Sequence, residues 1–307
     1  MKKLSKPIVF FGTEEFSSVS LRALLDAGFE IAVVVTKPDS AKGRSKELTP
    51  SPVKVIAQNA NIPVLQPEKA IEITDNLKKL QSPIGILVSY GNLIPDAMLD
   101  LFTPGIINIH PSLLPSYRGP SPIESAVLNG DSKTGVSIMK LTKEMDAGPV
   151  YSQIEIPLSN TEYADTLYRT LAQKGAEQLV TVLPSILDGS LQPSSQNEDN
   201  ASYCQLIEKA DGNIDWNDTA SKIDREIRAY SAWPKSRTKL GDIEVIITKA
   251  HIAGGNNSAG KIELSDDKLL VYCGENSLEI EQIQPIGKKE MPIQAFLAGY
   301  KNRLIPE

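Results

Sequence analysis

The sequence predicts an α/β chain: a mostly parallel sheet covered by helices on both faces, followed by a small β-barrel or sandwich. Three observations predict it. Short apolar runs alternate with helical patterns through the first half, as in strand–helix–strand units. From Trp233 onward the texture changes to strand-length runs punctuated by Gly254-Gly255, Asp266-Asp267 and Gly274-Glu275-Asn276. The 307 residues also exceed one ordinary core, on a prior of roughly 150 residues per domain. We expect a first domain over residues 1–190, a polar linker over 191–206 and a second domain over 207–307.

The elements follow in order. Ile8-Val9-Phe10-Phe11 reads as the first strand. Glu14 to Ala27 reads as a helix, with Phe16, Val19, Leu21, Leu24 and Leu25 as its apolar face and Gly28 as its stop. Ile31 to Val35 is a strand. A polar loop runs from Lys37 to Pro52, then a helix from Val53 to Asn59. Val64-Leu65 is a short strand, Ile71 to Leu80 a helix, and Ile84 to Val88 a strand. Pro95 to Phe102 is a short helix opened by proline. Ile106 to His110 is a strand, Pro122 to Leu128 a helix, and Gly135 to Leu141 a further strand. Thr161 begins a long helical pattern reaching at least Leu183, which Pro184 should kink or end. Gln192 to Ser202 is polar and has little to bury. Ala220 to Tyr230 and Ile293 to Tyr300 read as helices, and Ile243 to Ile247 and Lys268 to Tyr272 as strands.

Composition narrows the function. The formal charge of −6 argues against a protein that coats nucleic acid non-specifically, although a local basic loop remains compatible with it. Two distant cysteines, Cys204 and Cys273, suggest free thiols in a reducing cytoplasm. No apolar run approaches membrane-spanning length. The sequence contains no G-x-G-x-x-G, P-loop, H-E-x-x-H, G-x-S-x-G or paired-cysteine motif, so no nucleotide cofactor and no metal is expected.

The most informative stretch is Asn108-Ile109-His110-Pro111-Ser112-Leu113-Leu114-Pro115, with Tyr117-Arg118-Gly119 behind it. Residues two apart on a strand point the same way, so Asn108 and His110 project together where the strand ends. That edge is where open α/β sheets bind ligands. An amide donor beside an imidazole suits chemistry in which a carbonyl becomes an oxyanion while a proton moves. A histidine before a proline can equally just close a strand end. Asp146, in Asp146-Ala147-Gly148, follows the next strand. If that strand pairs with the Asn108 strand, Asp146 lies at the same edge as His110 and can orient the imidazole. Asp146 can equally be a turn former. Lys37, Lys42, Arg44 and Lys46 crowd one loop, which reads either as an ordinary solvated loop or as an arm for phosphates.

Taken together, Asn108, His110, the Ser112–Pro115 loop, Tyr117-Arg118-Gly119 and Asp146-Ala147-Gly148 resemble the folate-dependent formyltransferases. Phe11-Gly12-Thr13, Pro38-Asp39, Gly43-Arg44, Pro50 to Lys54, Ile214-Asp215-Trp216 and Trp233-Pro234 extend the resemblance over nearly the whole chain. The resemblance implies a doubly wound catalytic domain of formyltransferase fold, then a small OB-like β-barrel. It implies transfer of a formyl group from 10-formyltetrahydrofolate to the α-amino group of methionine on initiator tRNA. By the same resemblance, Asn108, His110 and Asp146 are catalytic. Ser112, Leu113, Leu114, Pro115, Leu87 and Tyr90 contact the folate, and Lys37, Lys42, Arg44 and Lys46 meet the tRNA. Ala41, Ser45 and Glu47 depart from the family's usual loop pattern, where Pro, Gly and Lys are common. A cytoplasmic monomer is expected, with the tRNA and the folate co-substrate as partners. The alternatives are a formyltransferase for a small amine, such as a sugar nucleotide or glycinamide ribonucleotide, and a non-enzymatic tRNA-binding module.

Overall fold

The computed structural model describes residues 6–41, 47–265 and 267–304. In chain order these form β1 (Ile8–Gly12), α1 (Glu15–Asp26), β2 (Ile31–Val35), β3 (Ser40–Ala41), β4 (Leu48–Thr49), α2 (Pro52–Asn59) and β5 (Val64–Leu65). Next come α3 (Thr74–Leu77), β6 (Ile84–Val88), α4 (Asp96–Leu99), β7 (Ile106–His110), α5 (Pro122–Asn129), β8 (Lys133–Lys140), β9 (Val150–Pro157) and α6 (Ala164–Leu187). The remainder is α7 (Ala220–Ala229), β10 (Ser236–Leu240), β11 (Ile243–Ala253), β12 (Ile262–Leu264), β13 (Leu269–Tyr272), β14 (Ser277–Pro285), β15 (Met291–Pro292) and α8 (Ile293–Tyr300).

The chain divides into two compact units. One comprises Met1–Gly119, Thr134–Ile156 and Tyr168–Tyr203; the other comprises Pro120–Lys133, Pro157–Leu167 and Cys204–Glu307. The first unit is built on a seven-stranded sheet of order β5-β2-β1-β6-β7-β8-β9. Its first five strands are parallel, and β8 runs antiparallel to β7. Every residue of β1 is buried, as a strand covered on both faces requires. Val9 and Phe11 pack with Val33, Val35, Leu77, Met98 and Phe102 on one face. The strand order reverses between β1 and β6, which puts the ligand-binding crevice of such a sheet at the carboxyl ends of those two strands, with β7 next to β6.

The second unit has an antiparallel sheet of order β10-β11-β14-β13-β12, with β15 on β14, forming a half-barrel. The eleven-residue β11 shifts register between Ile247 and Ala250. A bulge of this kind bends a long strand and lets it serve two neighbours. Ile223 and Ile227 of α7 and Phe296 and Leu297 of α8 fill its core together with Val245, Val271, Leu278 and Ile280.

Several local expectations are corrected. The helix expected over Ile71 to Leu80 is a 3₁₀ turn, Ala70–Ile73, followed by the single turn α3. Ile71, Ile73 and Thr74 are β-branched and lose side-chain freedom in a helix. Pro184 does not end α6, which continues to Leu187. A proline removes only its own N–H, and the next turn resumes with Asp188 N donating to Pro184 O at 3.0 Å. The strands β3, β4, β9, β10, β12, β14 and β15 are not singled out by the sequence pattern.

Candidate active site

The site begins with strand register. Parallel pairing sets Leu87 beside Asn108, and antiparallel pairing sets Asn108 beside Met139 and His110 beside Ser137. Ile109, on the opposite face, meets α6 at Gly175, where a Cβ would lie 2.7 Å from Ile109 Cγ2. Asn108 and His110 therefore share the other face, with Leu87 alongside. Both are buried, Asn108 to 6% exposure. Among the described residues the Asn108 side chain makes no hydrogen bond, and its amide atoms keep some access to solvent, so they are open to a ligand.

His110 is held from two sides. Its Nε2 lies 2.9 Å from the Tyr117 carbonyl oxygen. A carbonyl only accepts, so Nε2 carries a proton. Its Nδ1 lies 3.7 Å from Asp146 Oδ2, an ion-pair distance when the ring is an imidazolium. The same Oδ2 accepts from the Gly119 N–H at 2.8 Å. Tyr117 and Asp146 are both left-handed, with φ of 57° and 50°. Both are the non-glycine residues that aim these contacts.

Asp146 arrives by a different route from the one expected. The two strands do pair, but because β8 is antiparallel, Lys140 lies beside Ile107, at the far end of β7 from His110. The loop after β8 then carries Asp146 back to the imidazole. Gly148 sits so close to the Lys140 carbonyl that a Cβ there would lie 1.8 Å from the oxygen.

The Ser112–Pro115 turn is a scaffold of hydrogen bonds. Ser112 is fully buried, and its hydroxyl donates to Ser116 O at 2.6 Å. The Ser137 hydroxyl donates to Ser112 O at 2.6 Å and accepts from Leu114 N and Gln153 Nε2. Leu113 presses on Gly135, Leu114 is buried, and the Leu114–Pro115 peptide is cis. Leu114 and Pro115 line a cavity of about 320 Å³ with Tyr151, Gln153 and Gln196. Leu87 is half-buried. Tyr90 is 1% exposed, stacks edge-on against Phe11, and has its phenol pKa raised by burial.

Of the basic loop, Lys42, Arg44 and Lys46 lie outside the described residues. The Lys37 ammonium occupies the space that a side chain at Gly91 would take. Among the described residues no group of three His, Cys, Asp or Glu is arranged to hold a metal, and no helix is long and apolar enough to cross a membrane. Both cysteines are free.

Sequence reasoning missed one network entirely. Arg118 is 1% exposed and reaches Glu198 at 2.9 and 2.7 Å, Gln196 Oε1 at 3.0 and 2.8 Å, and Tyr203 Oη at 3.1 Å. The carboxylate of Glu198 holds the guanidinium pKa well above its usual value. The stretch expected as a linker thus sends side chains to the loop beside His110. An arginine between Tyr117 and Gly119 was the only available signal.

A family model described as "Formyl transferase" matches residues 6–183, and one described as "Formyl transferase, C-terminal domain" matches residues 206–301. The chain belongs to the formyl transferase family. A "Methionyl-tRNA formyltransferase" from Herpetosiphon aurantiacus is 39% identical over 300 residues, covering 96% of this chain and 98% of its own. One from Sulfurihydrogenibium sp. is 38% identical over 301 residues, covering 96% and 97%. Among solved structures, the N-formyltransferase from Helicobacter canadensis, crystallised with folinic acid and dTDP-3-aminofucose, superimposes with a TM-score of 0.71. It is 18% identical and covers 91% of this chain and all of its own. HypX from Aquifex aeolicus gives a TM-score of 0.67 at 18% identity, covering 98% of this chain and 49% of its own. These structural likenesses carry the family's fold.

Proposed function

We propose that this enzyme transfers a formyl group from 10-formyltetrahydrofolate to the α-amino group of methionyl-initiator tRNA. The observation that carries the reading is the contact between His110 Nδ1 and Asp146 Oδ2, beside the unbonded amide of Asn108. The named activity of the full-length relatives supports the choice of acceptor. The formyl donor supplies an activated carbonyl carbon. Asn108 donates to the carbonyl oxygen as it gains charge, and His110, when protonated, adds positive charge beside it while its own N–H groups face Tyr117 O and Asp146. Asp146 orients His110 from the Nδ1 side and helps move the proton from the attacking amine to the departing folate nitrogen. An α-amino group has an unperturbed pKa near ~8, so a useful neutral fraction exists at neutral pH.

In the same reading Leu87, Leu113, Leu114 and Pro115 flank the folate, with the buried Ser112 and Tyr90 shaping the wall behind them. Leu87 is in register with Asn108, which supports its part. Lys37, Lys42, Arg44 and Lys46 meet the tRNA. Residues 1–190 carry the reacting groups, and 191–206, expected as a linker, add side chains that brace the Arg118 and Asp146 loops. The acting species is a cytoplasmic monomer. The test is consumption of 10-formyltetrahydrofolate by the purified protein with each acceptor in turn. We expect turnover with methionyl-initiator tRNA. Turnover only with an amino sugar nucleotide or glycinamide ribonucleotide overturns the choice of acceptor, and no turnover with any of them overturns the enzymatic reading.

A further inference from the structure

Gln196 sits between Arg118 and the loop that carries Asp146. Its side-chain oxygen accepts from Arg118 Nε and Nη2, at 3.0 and 2.8 Å. Its side-chain nitrogen donates to the carbonyls of Asp146 and Gly148, each at 2.7 Å. A guanidinium only donates and a carbonyl only accepts, so this amide has one possible orientation and no spare bond. The far end is anchored as well. Arg118 is buried and doubly bonded to Glu198, and Ser194 bonds through its backbone to Val150 in both directions.

What Gln196 grips is a backbone in an uncommon state. Asp146 has φ of 50°, a left-handed conformation that is uncommon outside glycine, though aspartate tolerates it better than most residues. That conformation directs Oδ2 to the Gly119 N–H and to His110 Nδ1. Among the described residues Gln196 makes no hydrogen bond to His110 or Asn108; its loop bonds are to the carbonyls on either side of Ala147. We infer that Gln196 is a positioning residue for formyl transfer, holding the Asp146 backbone so that the carboxylate faces the imidazole. The inference rests on the reading of Asp146 as the partner of His110.

Two variants separate positioning from mere support. Gln196→Glu keeps an acceptor for Arg118 and removes both donors to the loop. Gln196→Met removes both ends at similar size. Each is compared with wild type for kcat, for KM toward the formyl donor, for thermal midpoint and for hydrogen exchange of the 141–150 backbone. We expect kcat to fall about 10–100-fold, because a displacement of about 1 Å at a reacting group has that effect. KM should stay within about two-fold, the signature of an interaction that acts in the transition state. Exchange should accelerate across 141–150 in both variants. Unchanged kcat per folded enzyme, with or without a lowered thermal midpoint, overturns the inference. Asp146→Asn is measured alongside. If it keeps full turnover, the reading of the site fails. If it is inactive while both Gln196 variants turn over normally, only the positioning role fails.

Discussion

His110 and Asp146 meet at one contact but are delivered there by opposite means. His110 stands on the last residue of a buried strand, and its direction follows from strand alternation and from the register of β7 with β6 and β8. Asp146 stands on a loop in a left-handed conformation, and its direction follows from bonds to Gly119 and from the grip of Gln196 on its carbonyl. One half of the pair is placed by regular secondary structure, which is cooperative and hard to displace. The other is placed by a few side-chain bonds that single substitutions can remove. A site assembled this way combines a stiff wall with an adjustable one, and the adjustable wall is where modest changes should be felt.

The comparison can be broken most severely by removing either member. His110→Ala and Asp146→Ala should each lower kcat by about 10²–10⁴-fold, the usual worth of a proton-handling group. Circular dichroism and the thermal midpoint should show that both variants stay folded. Equal loss in the two would mean that the pair acts as a unit. Next in size is Gly148→Ala. A Cβ there collides with the Lys140 carbonyl, which is backbone and cannot swing aside, so the loop must move. We expect a fall in kcat of about 100-fold with binding of the formyl donor nearly intact, read from steady-state kinetics. Arg118→Met comes third. It frees Gln196 and Glu198 together, so the 192–203 segment should become sensitive to limited proteolysis while β7 stays protected. Cleavage spread evenly over the chain would contradict the stiff-wall, soft-wall contrast. The smallest effect on activity should come from Ser137→Ala, on the stiff side. It leaves the buried Leu114 N–H without its acceptor, which costs about 1–3 kcal/mol in denaturant unfolding, with kcat changed only a few-fold.

The two walls also differ in how legible they were. The strand from Ile106 to His110, its ending at a proline, and the shared face of Asn108 and His110 follow from local rules. Asp146 could be picked out by type and neighbours. Its path could not, because nothing local says that β8 would run antiparallel and leave at the wrong end. Gln196 and Glu198 were invisible. They lie in a polar run without periodicity, which reads as a segment with nothing to bury, and their partner Arg118 is seventy-eight and eighty residues away. Ser112 shows a subtler gap: a hydroxyl in a conspicuous motif turns inward to close its own loop.

By itself the sequence determined the alternation of strands and helices, the change to an antiparallel second unit, and the juxtaposition of an amide and an imidazole at a strand's end. Each depends on spacing along the chain, and spacing is what periodic backbone geometry converts directly into direction. Tertiary structure alone decided the direction of β8, the return of Asp146 over the sheet, and the clamp that Arg118 and Gln196 place on it. Those depend on which distant polar groups are left needing partners once the core has closed, and that is settled only when the whole chain is in place.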